Sequence, residues 1–273
     1  MDREEKRIIV LIDSRDNYSL RDENSVMEVA VLSVIGNRED QQDSFGFELK
    51  DDEGIVALCD GMGGHEGGKK ASTTAIEHIL SEYVDSYPCE DPHALLVDLA
   101  NESDMKIASL KNENGEPMMA GSTIVCVLVR KDNLFWMSVG DSRAYILRGE
   151  EFVKITTDHT YKSVLDEELR NSKITEMEYN ERIKEGETLV SFLGRNGLPY
   201  IDANDIPFKT QPGDRILLMS DGLYKLVSDA DIRAALLGFE NINDAIHALE
   251  SRAGLNGQNI NRDNTTIAMV KIK

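Results

Sequence analysis

Runs of apolar and β-branched residues recur along the chain, and they predict a protein rich in strands. The runs are Val26 to Ile35, Ser44 to Leu49, Ile55 to Cys59, Ser122 to Val129, Leu134 to Val139, Ala144 to Leu147, Arg215 to Met219 and Thr265 to Ile272. Short turn segments, such as Lys131-Asp132-Asn133 and Pro212-Gly213-Asp214, separate most of them. Connections this short join antiparallel strands, so the pattern predicts antiparallel sheets.

Apolar residues at helical spacing predict two pairs of helices. The first pair is Lys69 to Val84 and Pro92 to Leu110; the second is Ser228 to Leu237, which begins at a serine cap, and Ile242 to Arg252, which Gly254 closes. Because strands and helices come in blocks, the chain is predicted to be α+β, with helices packed on antiparallel sheets.

Two segments depart from this pattern. Thr156 to Glu187 is polar, with weak helical spacing, and is predicted to be a flap inserted beside a sheet edge. Residues 1–25 are poorly patterned and are predicted to form an N-terminal arm. With no internal repeat, residues 1–273 are predicted to form a single domain.

Charge and cysteine content exclude several classes of partner. The 273 residues include 50 acids and 30 Lys or Arg, a net charge of −20, which disfavours nucleic acid and anionic membranes. No apolar run approaches the roughly 20 residues that cross a bilayer, and the start does not resemble a secretory signal. The three cysteines form no CxxC motif and favour a reducing, cytoplasmic location.

Aspartates stand at the ends of the predicted strands. Asp60, Asp141 and Asp221 follow apolar runs, while Asp43 and Asp263 precede others. A carboxylate held rigidly at the end of a buried strand needs a compensating cation. Oxygen ligands without His or Cys favour Mg²⁺ or Mn²⁺, and two such ions about 3.5 to 4 Å apart can activate water for attack on phosphorus. The alternative interpretation, that Asp and Gly are simply turn residues, stays open on spacing alone.

A glycine-rich segment, residues 61–70, follows one strand and opens a helix. Gly63 and Gly68-Lys69 fit the GxxxxGK pattern of a nucleotide-binding loop, but Lys70 stands where Ser or Thr would hold Mg²⁺. A nucleotide hydrolase is therefore disfavoured. The glycines instead allow the backbone to approach a metal closely, which makes the Gly61 carbonyl a candidate ligand.

Seven motifs resemble, in order, those of the metal-dependent Ser/Thr protein phosphatases of the type 2C (PPM) family. They are REDQQD at 38–43, DGMGGH at 60–65, AGST at 120–123, VGDSRA at 139–144, TDHT at 157–160, SDGL at 220–223 and DNTT at 263–266. The resemblance covers about Val29 to Ile272, and methionine at position 62 indicates a bacterial-type member. It implies a four-layer α-β-β-α sandwich of two antiparallel sheets flanked by helices.

The resemblance also implies the reaction and its partners. A hydroxide bridging two Mn²⁺ or Mg²⁺ ions would attack phosphoserine or phosphothreonine directly, without a covalent intermediate. The partners would be phosphorylated proteins and a Ser/Thr kinase that the enzyme opposes, and the enzyme would act as a monomer. No residue names the substrate or the kinase.

The metal ligands are implied residue by residue. Asp60 would bridge the two ions, the Gly61 carbonyl would bind one of them, and Asp221 and Asp263 would bind the other. Asp141, together with Asp221, would hold a third and weaker ion.

Two further residues are implied to take part in catalysis beside Asp60. Arg38 would hold the substrate phosphate, for which a guanidinium fork is well suited. Asp43 would orient metal-bound water. Gln42 stands where the family often has a glutamate, and its carbonyl can still accept a hydrogen bond from such a water.

Other departures concern proton delivery and the flap. Met62 stands where animal members carry a histidine proposed as the general acid, so a metal-bound water or another group, with His65 as one candidate, must protonate the leaving oxygen. Ser191 replaces a common arginine on the flap side. A pseudophosphatase that only binds phosphoproteins or metals remains an alternative, which the intact acidic ligand set disfavours.

Overall fold

The structure is a computed structural model that describes residues 8–10, 17–64 and 66–273. The strands within these residues are β1 (Ile8–Val10), β2 (Tyr18–Glu23), β3 (Met27–Val34), β4 (Ser44–Leu49), β5 (Glu53–Cys59), β6 (Gly61–Met62), β7 (Gly121–Ser122), β8 (Ile124–Arg130), β9 (Asn133–Val139), β10 (Arg143–Arg148), β11 (Glu151–Lys154), β12 (Asp202–Ala203), β13 (Phe208–Lys209), β14 (Arg215–Met219) and β15 (Thr265–Ile272). The helices are α1 (Gly67–Asp85), α2 (Pro92–Ala108), α3 (Tyr161–Arg170), α4 (Glu176–Arg182), α5 (Asp221–Tyr224), α6 (Asp229–Gly238) and α7 (Ile242–Asn256), with a 3₁₀ turn at Ile183–Glu185.

The strands form two large antiparallel sheets and one small one in the part of the chain that the structure describes. The first sheet has the order β1-β4-β5-β8-β9-β12, with β13 also paired to β9. The second has the order β11-β10-β14-β15-β3-β2, and β6 pairs with β7. The predicted antiparallel arrangement is confirmed.

The two large sheets pack face to face, and helices cover their outer faces. In β8, Val125, Val127 and Val129 face the second sheet, whereas Cys126 and Leu128 pack toward α1 and α2. This alternation follows from the two-residue period of a strand, and burial on both faces explains why the sequence runs are continuously apolar. Helices α6 and α7 cover the second sheet. The predicted four-layer sandwich is confirmed.

The predicted ends of the helices lie within about two residues of the observed ones, except at the end of α7. Ser228 caps α6 by accepting a hydrogen bond from the backbone N–H of Asp231, as predicted. The prediction that Gly254 ends α7 is wrong, because the helix continues to Asn256. Ala253 is buried against the second sheet, which favours another helical turn, and the N–H of Gly257 closes the helix on the Ala253 carbonyl.

The two segments that depart from the main pattern contribute edge strands and a short helical region. β1 adds to the edge of the first sheet and β2 to the edge of the second, while residues 1–7 and 11–16 of the predicted arm lie outside the described residues. The flap region contains α3, α4 and the 3₁₀ turn. No helix within the described residues is long and apolar enough to cross a membrane.

Candidate active site

Strand register brings the acidic strand ends together. Ser44 pairs with Cys59, so Asp43 and Asp60 lie side by side where β4 begins and β5 ends. Met219 pairs with both Ile267 and Arg143, which places the segments that carry Asp221, Asp263 and Asp141 at one end of the second sheet. Antiparallel pairing thus explains why residues far apart in sequence meet at one site.

A cleft of about 710 Å³ opens at this end of the sandwich. Five of the predicted site residues line it: Arg38, Asp60, Gly61, Asp221 and Asp263. Glu187 and Leu189, from the flap side, line it as well. Asp43 lies behind the cleft with only 1% of its surface exposed.

Burial and mutual repulsion make the carboxylates costly to ionise. Burial raises the pKa of Asp60 well above its ordinary value, and the charges of Asp43, Asp221, Asp141 and Asp263 raise it further. Burial likewise raises the pKa of Asp43 to about 7, although the Ser220 hydroxyl donates a hydrogen bond of 2.8 Å to its Oδ2. Cations placed among these carboxylates would stabilise their charged forms.

Two of these carboxylates are already paired with cations of the chain itself. The Lys225 ammonium lies 2.5 Å from Asp221 Oδ2, and the Arg38 guanidinium lies 2.7 Å from Asp263 Oδ2. In this conformation no three His, Cys, Asp or Glu side chains among the described residues are grouped closely enough to hold an ion. The carboxylates therefore attract cations, and Lys225 and Arg38 neutralise part of their negative charge.

The donors that remain fit a hard divalent ion. Oδ1 of Asp43 and Oδ1 of Asp221 are buried and have no hydrogen-bond partner among the described residues. Orphaned carboxylate oxygens of this kind are rare unless a water or an ion completes them. Oxygen donors without His or Cys favour Mn²⁺ or Mg²⁺ over Zn²⁺.

Close backbone packing positions Gly61. A Cβ at this residue would lie 2.2 Å from the carbonyl oxygen of Gly68 and 2.6 Å from that of Gln42. Only glycine therefore fits between the start of α1 and the segment before β4. The Gly61 N–H also donates to the Gln42 carbonyl, which fixes the peptide beside Asp60.

Asn264 joins the two chain segments that carry Arg38 and Asp263. Its Oδ1 accepts the backbone N–H of Gln42, and its Nδ2 donates to the carbonyls of Ile35 and Asp40. The sequence interpretation gave this residue no role. Its position, directly after a candidate ligand and before a strand, is the sequence feature that could have indicated this role. An Asn amide at such a place can form hydrogen bonds with backbone groups of a neighbouring loop.

Asp141 lies at the side of the site, next to α5. The Tyr224 hydroxyl donates a 2.9 Å hydrogen bond to Asp141 Oδ2, and the Arg143 guanidinium stacks 3.5 Å from the Tyr224 ring centre. Burial raises the pKa of Asp141 to about 6, and the charge of Asp221 adds to this. The sequence interpretation missed Tyr224 and Lys225, because the single helical turn of α5 leaves no periodic pattern.

The departures noted in the sequence lie in different places. Met62 lines the cleft, whereas Ser191 is fully buried, and its hydroxyl donates to the carbonyl of Tyr200. His159 accepts the Gly140 N–H and so anchors the start of the flap region. His65 lies outside the described residues.

Comparison with known proteins agrees with this geometry. Residues 25–183 match the family model described as protein phosphatase 2C. The chain belongs to the protein phosphatase 2C family. The serine/threonine phosphatase stp of Listeria innocua is 27% identical over 238 residues, which cover 86% of this chain and 91% of that protein.

Solved structures of bacterial phosphatases share the fold. The serine/threonine phosphatase of S. agalactiae has a TM-score of 0.73 at 26% identity and covers 90% of this chain and 100% of its own. The catalytic domain of the phosphatase PstP in complex with two manganese ions has a TM-score of 0.71 at 29% identity, covering 90% of this chain and 98% of its own. The predicted family, sandwich fold and activity, that of a bacterial-type metal-dependent protein-serine/threonine phosphatase, are confirmed.

Proposed function

We propose that the cleft residues Asp60, Gly61, Asp221 and Asp263 hold two Mn²⁺ or Mg²⁺ ions, and that Arg38 binds the phosphate of phosphoserine or phosphothreonine. The observation that carries this proposal is the convergence of carboxylates from three strand ends, Asp60, Asp221 and Asp263, on one open cleft. Two of them, Asp221 and Asp263, are paired with cationic side chains. When bound, the ions supply an activated water and positive charge for in-line phosphoryl transfer. The PstP catalytic domain is in complex with two manganese ions, which supports a stoichiometry of two ions per chain.

Arg38 has the reach and the exposure for a substrate contact. About half of its side chain is exposed, and one terminal nitrogen bonds Asp263. A guanidinium has five N–H donors, so the remaining ones are available to a phosphate. The guanidinium thus neutralises charge on the transferring group while the cleft positions it.

Asp43 acts from behind the cleft. Ser220 fixes its Oδ2, which leaves the unpartnered Oδ1 as the atom that would accept a hydrogen bond from a water held by the bound ions. Bound cations would oppose the rise in the pKa of Asp43 that burial causes, which favours its carboxylate form as an acceptor. Asp141 is not part of the proposed two-ion set, and its role as a ligand of a third ion is only what the family resemblance implies.

The substrates are phosphorylated proteins, and a Ser/Thr kinase that produces them is the expected functional counterpart. The cleft is open to solvent beside the flap, as a phosphorylated protein segment requires. Cys59, Cys89 and Cys126 are all free, which supports a reducing, cytoplasmic location. We propose that the chain acts there as a single-domain monomer.

The decisive experiment is hydrolysis of a phosphothreonine peptide and of p-nitrophenyl phosphate by metal-stripped protein, with Mn²⁺, Mg²⁺, Ca²⁺ or Zn²⁺ restored singly. We expect activity with Mn²⁺ or Mg²⁺ and its loss in Asp60→Asn. Asp98→Asn is the control, because it makes the same change at an exposed position of α2. Normal turnover by Asp60→Asn would refute the ligand assignment. Silence under every metal, with calorimetry still detecting ion binding, would favour the pseudophosphatase.

A further inference from the structure

One helical turn presents both a candidate ligand and a cation to the site. Asp221 opens α5, and Lys225 follows its last residue with its N–H bonded to the Asp221 carbonyl. Residues four apart lie on the same face of a helix, so the two side chains meet. The Lys225 ammonium lies 2.5 Å from Asp221 Oδ2.

Lys225 faces acids from three directions. Burial lowers its pKa, but the charges of Asp221, Asp141 and Glu187 raise it, and the net shift is upward. Asp221 lies on its own helical turn, Asp141 follows β9, and Glu187 ends the flap. The ammonium therefore contacts Asp221 directly, and Asp141 and Glu187 are close enough for their charges to act on it.

Asp141 is held in place without a metal. Tyr224, one residue before Lys225, donates its hydroxyl to Asp141 Oδ2, and Arg143 covers the Tyr224 ring. The charge of Lys225 lowers the pKa of Asp141 against its burial. Asp141 thus has a hydrogen-bond donor and a nearby cation, both supplied by the same turn.

From this arrangement we infer that the Lys225 ammonium takes the place of a third metal ion between Asp141 and Asp221, so that the enzyme binds two ions only. The inference rests on the proposed two-ion site. Asp221 divides its oxygens accordingly: Oδ2 holds Lys225, and the buried, unpartnered Oδ1 is left for the metal pair. A third divalent ion would have to displace a like charge from the space it needs.

The test is the number of Mn²⁺ ions bound, measured on the full chain by equilibrium dialysis with metal analysis and by calorimetry. At one free Mn²⁺ concentration we expect two ions for the wild type and three for Lys225→Met. The third site of the variant should therefore bind Mn²⁺ at least about tenfold tighter than the same place in the wild type, within the range of couplings between neighbouring sites. Lys225→Arg keeps the positive charge and should bind two. Adding Asp141→Asn to Lys225→Met should remove the third ion.

Lys162→Met is the matched control, because Lys162 forms an ion pair of the same spacing with Asp166 on the flap. It should bind two ions. Three ions bound to the wild type would overturn the inference. So would two ions bound to both Lys225→Met and Lys225→Gln, provided that the urea midpoints of these variants match that of the wild type. Failure of the proposed function is a separate result: Asp60→Asn would then bind metal like the wild type.

Discussion

Asn264 offers a direct test of how the site is assembled, because one side chain joins the segment before β4 to the start of β15. It is 5% exposed and makes three hydrogen bonds of 2.8, 2.9 and 3.1 Å to the backbone of Gln42, Ile35 and Asp40. The Asn264→Ala substitution removes all three bonds. Arg38 and Asp43 flank the released backbone, so the change should disturb catalysis as well as stability.

The size of the effect follows from these bonds. Each is expected to contribute about 1 kcal/mol net, because the backbone groups are partly buried and water replaces the amide only in part. Three bonds give about 3 kcal/mol of lost unfolding free energy, or a fall of about 1 M in the urea midpoint if the slope is about 3 kcal/mol per M. A loosened Arg38 and Asp43 should lower kcat/KM by about 100-fold, since small misplacements at a reacting centre have effects of this order.

Asn204 provides a matched control remote from the cleft. It accepts the Trp136 N–H and donates to the carbonyls of Leu134 and Ile206, again three backbone bonds of 2.7, 3.2 and 2.9 Å. Asn204→Ala should therefore lose similar stability, yet keep its kcat/KM in folded protein at saturating Mn²⁺. Urea unfolding followed by fluorescence and phosphopeptide hydrolysis measure the two effects. Equal activity losses in both variants, or an Asn264→Ala midpoint within about 0.2 M of the wild type, would refute this reasoning.

Three further predictions concern separate parts of the site. Without metal, the pKa of Asp43 is raised, so the folded state binds more protons than the unfolded state, and the free energy of unfolding should fall as pH rises from about 4 to about 7. Urea midpoints in EDTA at pH 5 and 8 measure this fall. The fall should be smaller in Asp43→Asn. Gly222→Ala should abolish activity, because its Cβ would lie 2.0 Å from a backbone oxygen. Gly238→Ala is the control and should be active, because a Cβ there meets open space. An active Gly222→Ala would contradict this account of the packing. Arg38→Met should raise KM for a phosphopeptide about 10- to 100-fold, and Arg38→Lys should show an intermediate KM. Steady-state assays measure these values, and a KM of Arg38→Met equal to that of the wild type would disprove the prediction.

The sheets and the position of the cleft could be predicted because they depend on local pattern. Continuous apolar runs joined by short turns allow only antiparallel sheets buried on both faces. Successive strands then return to the same end, which brings Asp43 beside Asp60 although 17 positions separate them. The acids of the second sheet follow from the same rule.

Features that depend on tertiary contacts could not be predicted in this way. The two-residue strands β12 and β13 have no measurable period, and backbone bonds to β9 define them. Helix α7 passes Gly254 because Ala253 is buried against a sheet whose position the sequence does not give. Lys225 looks like a surface charge until Asp221 is known to open a helical turn.

The pairing of Arg38 with Asp263 indicates that metal binding and phosphate binding are coupled. The terminal nitrogen that lies 2.7 Å from Asp263 Oδ2 cannot hold a substrate phosphate in the same geometry. Another cation at Asp263 removes the attraction that keeps the guanidinium there and leaves all its donors for phosphate. Phosphate affinity should therefore rise when Mn²⁺ is present, and by reciprocity phosphate should tighten Mn²⁺ binding by the same factor.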